Sequence, residues 1–425
     1  MSDTGIRLAA RIGIDWADQH HDVSLQATGS NQVEAFRIRH TPADLTQWVG
    51  ELRKRFPDGY VGIAVETSRG PLVHGLLEHD FIRLYPVNPR SLQRFRETFT
   101  PSGAKDDRPD ADLLRELLVK HRDRLRPWEP DDEETRALGR LVQMRRGTVD
   151  QRTELIQQLG AALKEYFPLA LTLAGADLST EMATDFLLKW PTLSALQRAR
   201  PTTVRQFYYD HSCRRREVVD RRLELIHSAV PLTTDPAILE TSTLLVQALA
   251  RQLKALALSI AQFDQEIARR FDAHPDAYLF ESLPGSGDAL APRLLTQFGS
   301  DRDRFEGAAD VQKISGIAPV TERTGKQKKG WVHRRWSAPT FSLQSFHEFA
   351  RSSIQQSAWA RAYYTQQRER GNDYHTAVRA LAFKWIRIIY RCWKDRTPYD
   401  EDRYVRSLIQ RGSPLAARLG HTTAA

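Results

Sequence analysis

Cysteine is nearly absent: Cys213 and Cys392 are the only two in 425 residues. Two thiols exclude a disulfide framework and are too few for a thiolate zinc site, so both are read as small packed residues. Long apolar runs are missing too. No stretch approaches the roughly 18 uninterrupted apolar residues of a membrane span, and the opening MSDTGIRLAARIGID lacks the charged, apolar and small-residue order of a signal peptide. The expectation is a cytoplasmic chain with no membrane partner. Negative charge is also short, with 53 Asp and Glu against 62 Lys and Arg, a net charge of +9. Such an excess suits a polyanion, because each phosphate neutralised releases counterions. The length allows two or three domains, each with its own core.

What is present starts with an apolar strand, Arg11 to Trp16, that carries Asp15 out of RIGIDWA. A carboxylate at the end of a buried strand is costly unless something positive sits on it, most simply a divalent cation. DVSLQA and VEAFRIRH read as two further antiparallel strands, Thr41 and Pro42 open a helix, and YVGIAVE is a strand closed by Glu66. A helix from Pro71, the strand FIRLYPVNP and a helix from about Asp110 follow. The order β-β-β-α-β-α-β, with acids ending the first and fourth strands, is the arrangement of the ribonuclease H superfamily. Asp107 and Asp110 lie three apart and share a face if both are helical. One Asp after a strand is more often a cap. Four acids from three stretches read as one site for Mg²⁺ or Mn²⁺, since paired ions held by carboxylates clamp the oxygens of a phosphodiester. His20 and His21 are read as surface residues of the first hairpin.

Beyond Glu133 the pattern turns helical and charged, closed by Pro168. Arg214, Arg215 and Arg216 head a basic run that reads equally as a solvated face or a nucleic-acid contact. From Thr241 to Phe271, Val246, Leu249, Leu253, Leu256, Ile260, Phe263 and Ile267 recur at spacings of three and four, a coiled-coil seam. It must bury itself on the earlier arm, Leu138 to Leu163, on a second protomer, or on both. The turn in LPGSGDALAPRLLTQFG reads either as a simple helix start or as a hairpin whose amides touch a phosphate. Arg323, Lys326, Lys328, Lys329, Arg334 and Arg335 are interleaved with Trp331 and Trp336, as in surfaces that track a strand. The last helices read as packing, and the tail beyond Tyr404 as poorly ordered.

GIDWADQHHDVSL, AVETSRGPL and AKDDRPDADLL resemble the three DEDD motifs of a bacterial insertion-sequence transposase family. The resemblance covers nearly the whole chain. It implies an α/β N-terminal domain over 1–128, ribonuclease H-like and similar to the RuvC Holliday-junction resolvase. A helical, coiled-coil arm over 129–275 and a mostly α transposase domain over 276–404 would follow, then a tail over 405–425. In the family a Gly-x-x-Pro frame precedes a Ser-Gly whose serine is the nucleophile. Here Gly316, Ile317, Ala318, Pro319 and Gly325 keep the frame, but Thr324 stands where the serine would be. Thr324 is then either a working substitute or an inactivating change. Ser315, Ser337 and Ser342 are out of register. The resemblance further implies a composite site in a homodimer or tetramer: Asp15, Glu66, Asp107 and Asp110 hold metal while the residue-324 hydroxyl of another protomer forms a covalent link to DNA. Donor and target DNA, and a structured guide RNA, would be the partners. A metal-dependent nuclease or junction resolvase using the acids alone, and a catalytically impaired nucleic-acid-binding protein, are the alternatives.

Overall fold

The computed structural model describes residues 7–66, 70–99, 110–322 and 331–419. The chain divides into two compact units, Met1–Pro130 and Asp131–Ala425.

The first unit is built on a five-stranded mixed sheet of β1 (Leu8–Trp16), β2 (His20–Ala27), β3 (Val33–Arg39), β4 (Tyr60–Val65) and β5 (Ile82–Pro86), in the order β3-β2-β1-β4-β5. β1, β2 and β3 pair antiparallel, whereas β1, β4 and β5 run parallel. Strand residues alternate between faces, so Ile12, Ile14, Val23, Ile63 and Val65 fill one side. There they pack with Trp48, Val49 and Leu52 of α1 (Pro42–Arg55) and Leu72, Val73 and Leu76 of α2 (Pro71–Leu77). Thr41 caps α1 by accepting the Asp44 amide at 3.1 Å, with Pro42 at the first turn.

The other face is covered by α3 (Pro89–Phe99) and α4 (Asp110–Lys120), whose Leu92, Leu113, Leu114 and Leu118 pack with Ala64 and Tyr85. α4 lies directly on β1, because position 13 has no side chain. A Cβ built on Gly13 would stand 2.0 Å from the Ala111 carbonyl oxygen and 2.4 Å from the Arg115 nitrogen.

In the second unit, α5 (Glu133–Tyr166) runs antiparallel to the 37-residue helix Pro236–Asp272. The ion pair of Glu134 with Arg270 at 2.7 Å, and that of Arg145 with Asp264, fix the direction. The seam residues Val246, Leu249, Leu253, Ile260 and Ile267 are buried. At one end the pair shares a core with the helices Glu181–Lys189, Pro201–Asp210 and Arg216–Ser228. At the other, Leu138, Val142, Ile267 and Phe271 join the core of the helices Gly287–Phe298, Thr340–Gln356, Ala358–Glu369 and Tyr374–Asp395. The long helix is long and apolar enough to cross a membrane, but Val246, Leu249, Leu253, Ile267 and Phe271 are packed in these two cores. The stretch beyond Tyr404, expected to be poorly ordered, instead forms the helices Glu401–Gln410 and Pro414–Leu419, with Leu415 buried in that second core.

Candidate active site

Parallel pairing sets Ile14 opposite Val65, so Asp15 and Glu66 leave adjacent strands at the same sheet edge. By the two-residue period both point to the face of Gly13 and Ala64, the face α4 covers. α4 runs antiparallel to β1 and begins at Asp110, which brings its first residue over the end of the strand. A short, close-packed α4 thus delivers the third acid. Its amino end also presents the positive pole of the helix to the carboxylates.

The three acids feel one another. Burial, then the charges of Asp110, Glu66 and Asp22, push the Asp15 carboxyl up to about 6. Burial and Asp110 likewise raise Glu66. Arg96, from α3, donates to the Asp110 carboxylate and opposes both shifts. Among the described residues no three acid, His or Cys side chains stand grouped as ligands of one ion. Asp107 lies outside those residues. The first turn of α4 is also held to β2: Asp112 accepts from the Ser24 hydroxyl at 2.5 Å, and Arg115 donates to Ser24 at 2.9 Å and Gln26 at 2.8 Å.

Arg96 was not foreseen, since α3 was not. PRSLQRFRETF carries few apolar residues, and only Arg96 at helical spacing from Leu92 hinted at an inward neighbour. His21 corrects the sequence reading. It is buried beneath the first hairpin with Nε2 2.8 Å from Nδ1 of His40, and burial lowers it to about 4. A neutral, doubly engaged imidazole on the β2–β3 side is a packing element.

In the second unit the Gly316–Pro319 frame follows the helix Ala308–Ile314 and leads into a short antiparallel hairpin of β6 (Val320–Glu322) and β7 (Trp331–His333). Gly316 turns at φ +74°, and a Cβ there would meet the Ala338 Cβ at 2.1 Å. Ile317 is buried, and the Ala318 amide donates to the Gln312 carbonyl at 2.8 Å. The hairpin arms flank Arg323, Thr324, Lys326, Lys328 and Lys329, which lie outside the described residues. Of the expected basic surface, Arg334 sits 5.1 Å over the Trp336 ring and Arg335 donates to the Lys313 carbonyl at 3.1 Å. Two of the out-of-register serines are spoken for: Ser315 is buried on the Gln312 carbonyl, and Ser342 donates to Gln297 at 2.5 Å.

Arg214, Arg215 and Arg216 are exposed, with Arg216 paired to Asp220 at 3.5 Å. The turn ahead of Gly287 uses Gly285 and Gly287 at positive φ, and the Ser286 hydroxyl donates to the Leu283 carbonyl. The cavity beside it, about 850 Å³, is lined by Asp264, Asp272, Glu281 and Asp288. Arg145 also lines it but is paired with Asp264, so the acids outweigh it and repel phosphate, which favours the simple helix start. Cys213 and Cys392 are unbridged, and burial pushes the Cys392 thiol up to about 11, so it is inert.

Two family models match the chain: a DEDD transposase of the IS110 type over residues 12–168, and a transposase of the IS116/IS110/IS902 family over 277–365. Together they span more than half of it. The mini-circle transposase for IS117 of Streptomyces coelicolor is 28% identical over 95% of this chain and 98% of its own length. The 43.6 kDa protein of insertion element IS110 from the same species is 26% identical over 94% and 96%. The 42 kDa protein of insertion element IS900 from Mycobacterium paratuberculosis is 24% identical over 91% and 96%. The first model begins on β1 and spans the three acids at the sheet edge, the second spans the Gly316 frame, and the chain belongs to the IS110 family of transposases, enzymes that recombine DNA.

Proposed function

We propose that Asp15, Glu66, Asp107 and Asp110 form a divalent-cation site at the carboxyl ends of β1 and β4, and that the Thr324 hydroxyl is the nucleophile that attacks DNA. The observation that carries the reading is the mutual repulsion of Asp15, Glu66 and Asp110 at one sheet edge. Carboxylates pressed together at a cost in stability are a common mark of a functional site. The strand order 3-2-1-4-5 supports a ribonuclease H-like, RuvC-like domain. The donor set is entirely carboxylate oxygen, which fits Mg²⁺ or Mn²⁺. Bound there, such ions would stabilise charge on the phosphate oxygens. Arg96 donates to Oδ1 of Asp110, and the second carboxylate oxygen can serve as the ligand.

The chain's own residues would then act as follows. The Thr324 oxygen loses its proton and bonds to phosphorus, while the bond from phosphorus to the departing strand breaks and that strand's oxygen takes up a proton. One phosphoester replaces another, so the strand can be rejoined without an external energy source. The pairing of α5 with Pro236–Asp272 supports a coiled-coil arm, and the family's composite site would place Thr324 of one protomer of a dimer or tetramer beside the acids of another. The basic residues Arg323, Lys326, Lys328, Lys329, Arg334 and Arg335, with Trp331, and separately Arg214 to Arg216, support contacts to donor and target DNA and to a structured guide RNA.

The test is cleavage of labelled donor DNA in Mg²⁺, with the cognate RNA present. Asp15→Asn, Glu66→Gln and Asp110→Asn should each abolish it while leaving DNA binding intact. Full cleavage by any of the three would remove that acid from the site.

A further inference from the structure

The helix Tyr374–Asp395 has a second stripe besides the apolar one that packs the core. Lys384, Arg387 and Arg391 recur at spacings of three and four, and so share a face. Across a groove of about 560 Å³, the helix Glu401–Gln410 and its end present Arg403, Ser407 and Arg411 at spacings of four. Two basic stripes therefore line opposite walls of one cavity. Its volume is in the range of pockets that take a nucleotide-sized ligand, about 300–1,000 Å³.

The carboxylates at the groove are already engaged. Asp395 is paired by Arg391, and Asp400 accepts the Arg403 backbone amide at 2.9 Å as the helix cap. Just outside the lining, Glu401 accepts from the Ser357 hydroxyl at 2.8 Å and the Tyr399 hydroxyl at 2.7 Å. Among the described residues no carboxylate is paired with Arg387, Arg403 or Arg411. Lys384, which also lines the groove, is held with its ammonium 4.4 Å over the Tyr363 ring. Arg387, Tyr404 and Arg411 line this same groove, and both guanidiniums act electrostatically on the Tyr404 phenol. Like charges held together without counter-ions are unfavourable in the free protein and become favourable around a polyanion.

We propose that this groove seats the phosphodiester backbone of a single nucleic-acid strand, with Arg387, Arg403 and Arg411 on successive phosphates and Lys384 beneath them. Single-stranded DNA and RNA offer the same backbone, and the 2′-hydroxyl separates them. The inference takes from the proposed function only that the chain works on nucleic acid. It needs neither the acids nor Thr324, so its test is run without metal.

The experiment measures binding of fluorescent dT12 and rU12 to the full-length protein in EDTA, from 0.05 to 1 M salt. The variant Arg387→Ala/Arg403→Ala/Arg411→Ala is compared with Arg198→Ala/Arg200→Ala/Arg251→Ala, which removes equal charge from exposed positions elsewhere. Each phosphate contact to a single strand contributes about 0.7 to the slope of log K against log salt. The groove variant should therefore lose about 2 from the slope and about 100-fold in affinity at 0.1 M, with curves converging near 1 M. The Arg→Lys version of the same triple should keep most of the binding, which separates lost charge from lost fold. Equal loss for dT12 and rU12 assigns a bare backbone contact, and loss confined to rU12 assigns one that also reads the 2′-hydroxyl. An unchanged slope, or an equal loss in the remote triple, overturns the proposal.

Discussion

Gly13→Ala tests how the site is assembled without touching any acid. The added methyl would begin 2.0 Å from the Ala111 oxygen, 2.4 Å from the Arg115 nitrogen and 2.9 Å from the Leu114 Cβ. Two of these are backbone atoms of α4 and cannot swing aside. To restore ordinary contact α4 must back away by about an ångström or more, and close-packed interiors resist this. Overpacking of this kind costs about 1–3 kcal/mol. The larger effect falls on chemistry, because the retreating helix carries Asp110 away from Asp15 and Glu66. A misplacement of about 1 Å can cost about 100-fold in rate. Urea unfolding gives the first quantity and the DNA-cleavage rate under saturating Mg²⁺ the second. The expected variant is folded, 1–3 kcal/mol less stable by that estimate, and slower by about two orders of magnitude. A variant with wild-type stability and rate would refute the close seating of α4 on β1.

Other outcomes follow from the charges. Asp15 has its carboxyl raised in the folded state, so the fold binds a proton that the unfolded chain does not between about pH 4 and 6. Stability in EDTA should fall as pH rises through that window, and Asp15→Asn should be more stable than wild type at pH 7.5 by about 1–2 kcal/mol after allowing for solvent screening. The gain should vanish below pH 4, and a destabilised Asp15→Asn would contradict it. Mg²⁺ should raise the thermal midpoint of the wild type and not of the Asp15→Asn/Asp110→Asn variant, since only a ligand bound to the folded state stabilises it; equal shifts would place the ion elsewhere. Arg96→Gln removes the cation that, among the described residues, holds Asp15 and Glu66 down, so the acid limb of the pH–rate profile should move up, and an unmoved limb would show Arg96 to be a bystander. His21 is neutral in the fold, so stability is lost as pH falls from about 6.5 towards 4, a loss that His21→Gln should reduce.

The first unit was legible because its strands are β-branched runs bounded by turns and its helices open on Thr41, Pro42 and Pro71, signals that act within a few residues. Asp15 and Glu66 could be read for the same reason, as each ends an apolar run. What the pattern could not carry was tertiary. Gly13 looks like any strand glycine until α4 lies on it. Arg96 sits in a polar helix whose inward face is small, and His21 is buried by a partner 19 residues away. In the second unit the sequence predicts a packing stripe of Val378, Leu381, Trp385, Ile388 and Trp393, and all five pack in or against that core. The basic stripe beside them gained meaning only once the helix Glu401–Gln410, in a stretch read as a loose tail, was found to form its other wall.

The measurement closest to the central claim is the search for DNA covalently attached to the protein. Wild-type chain, cognate RNA and end-labelled donor and target DNA in Mg²⁺ are run on a denaturing gel that retains protein. The account predicts a protein-linked band that disappears in both Asp15→Ala and Thr324→Ala and persists in Thr324→Ser. Cleaved DNA without such a band, undiminished in Thr324→Ala, would contradict it and leave the acids alone as the catalytic apparatus.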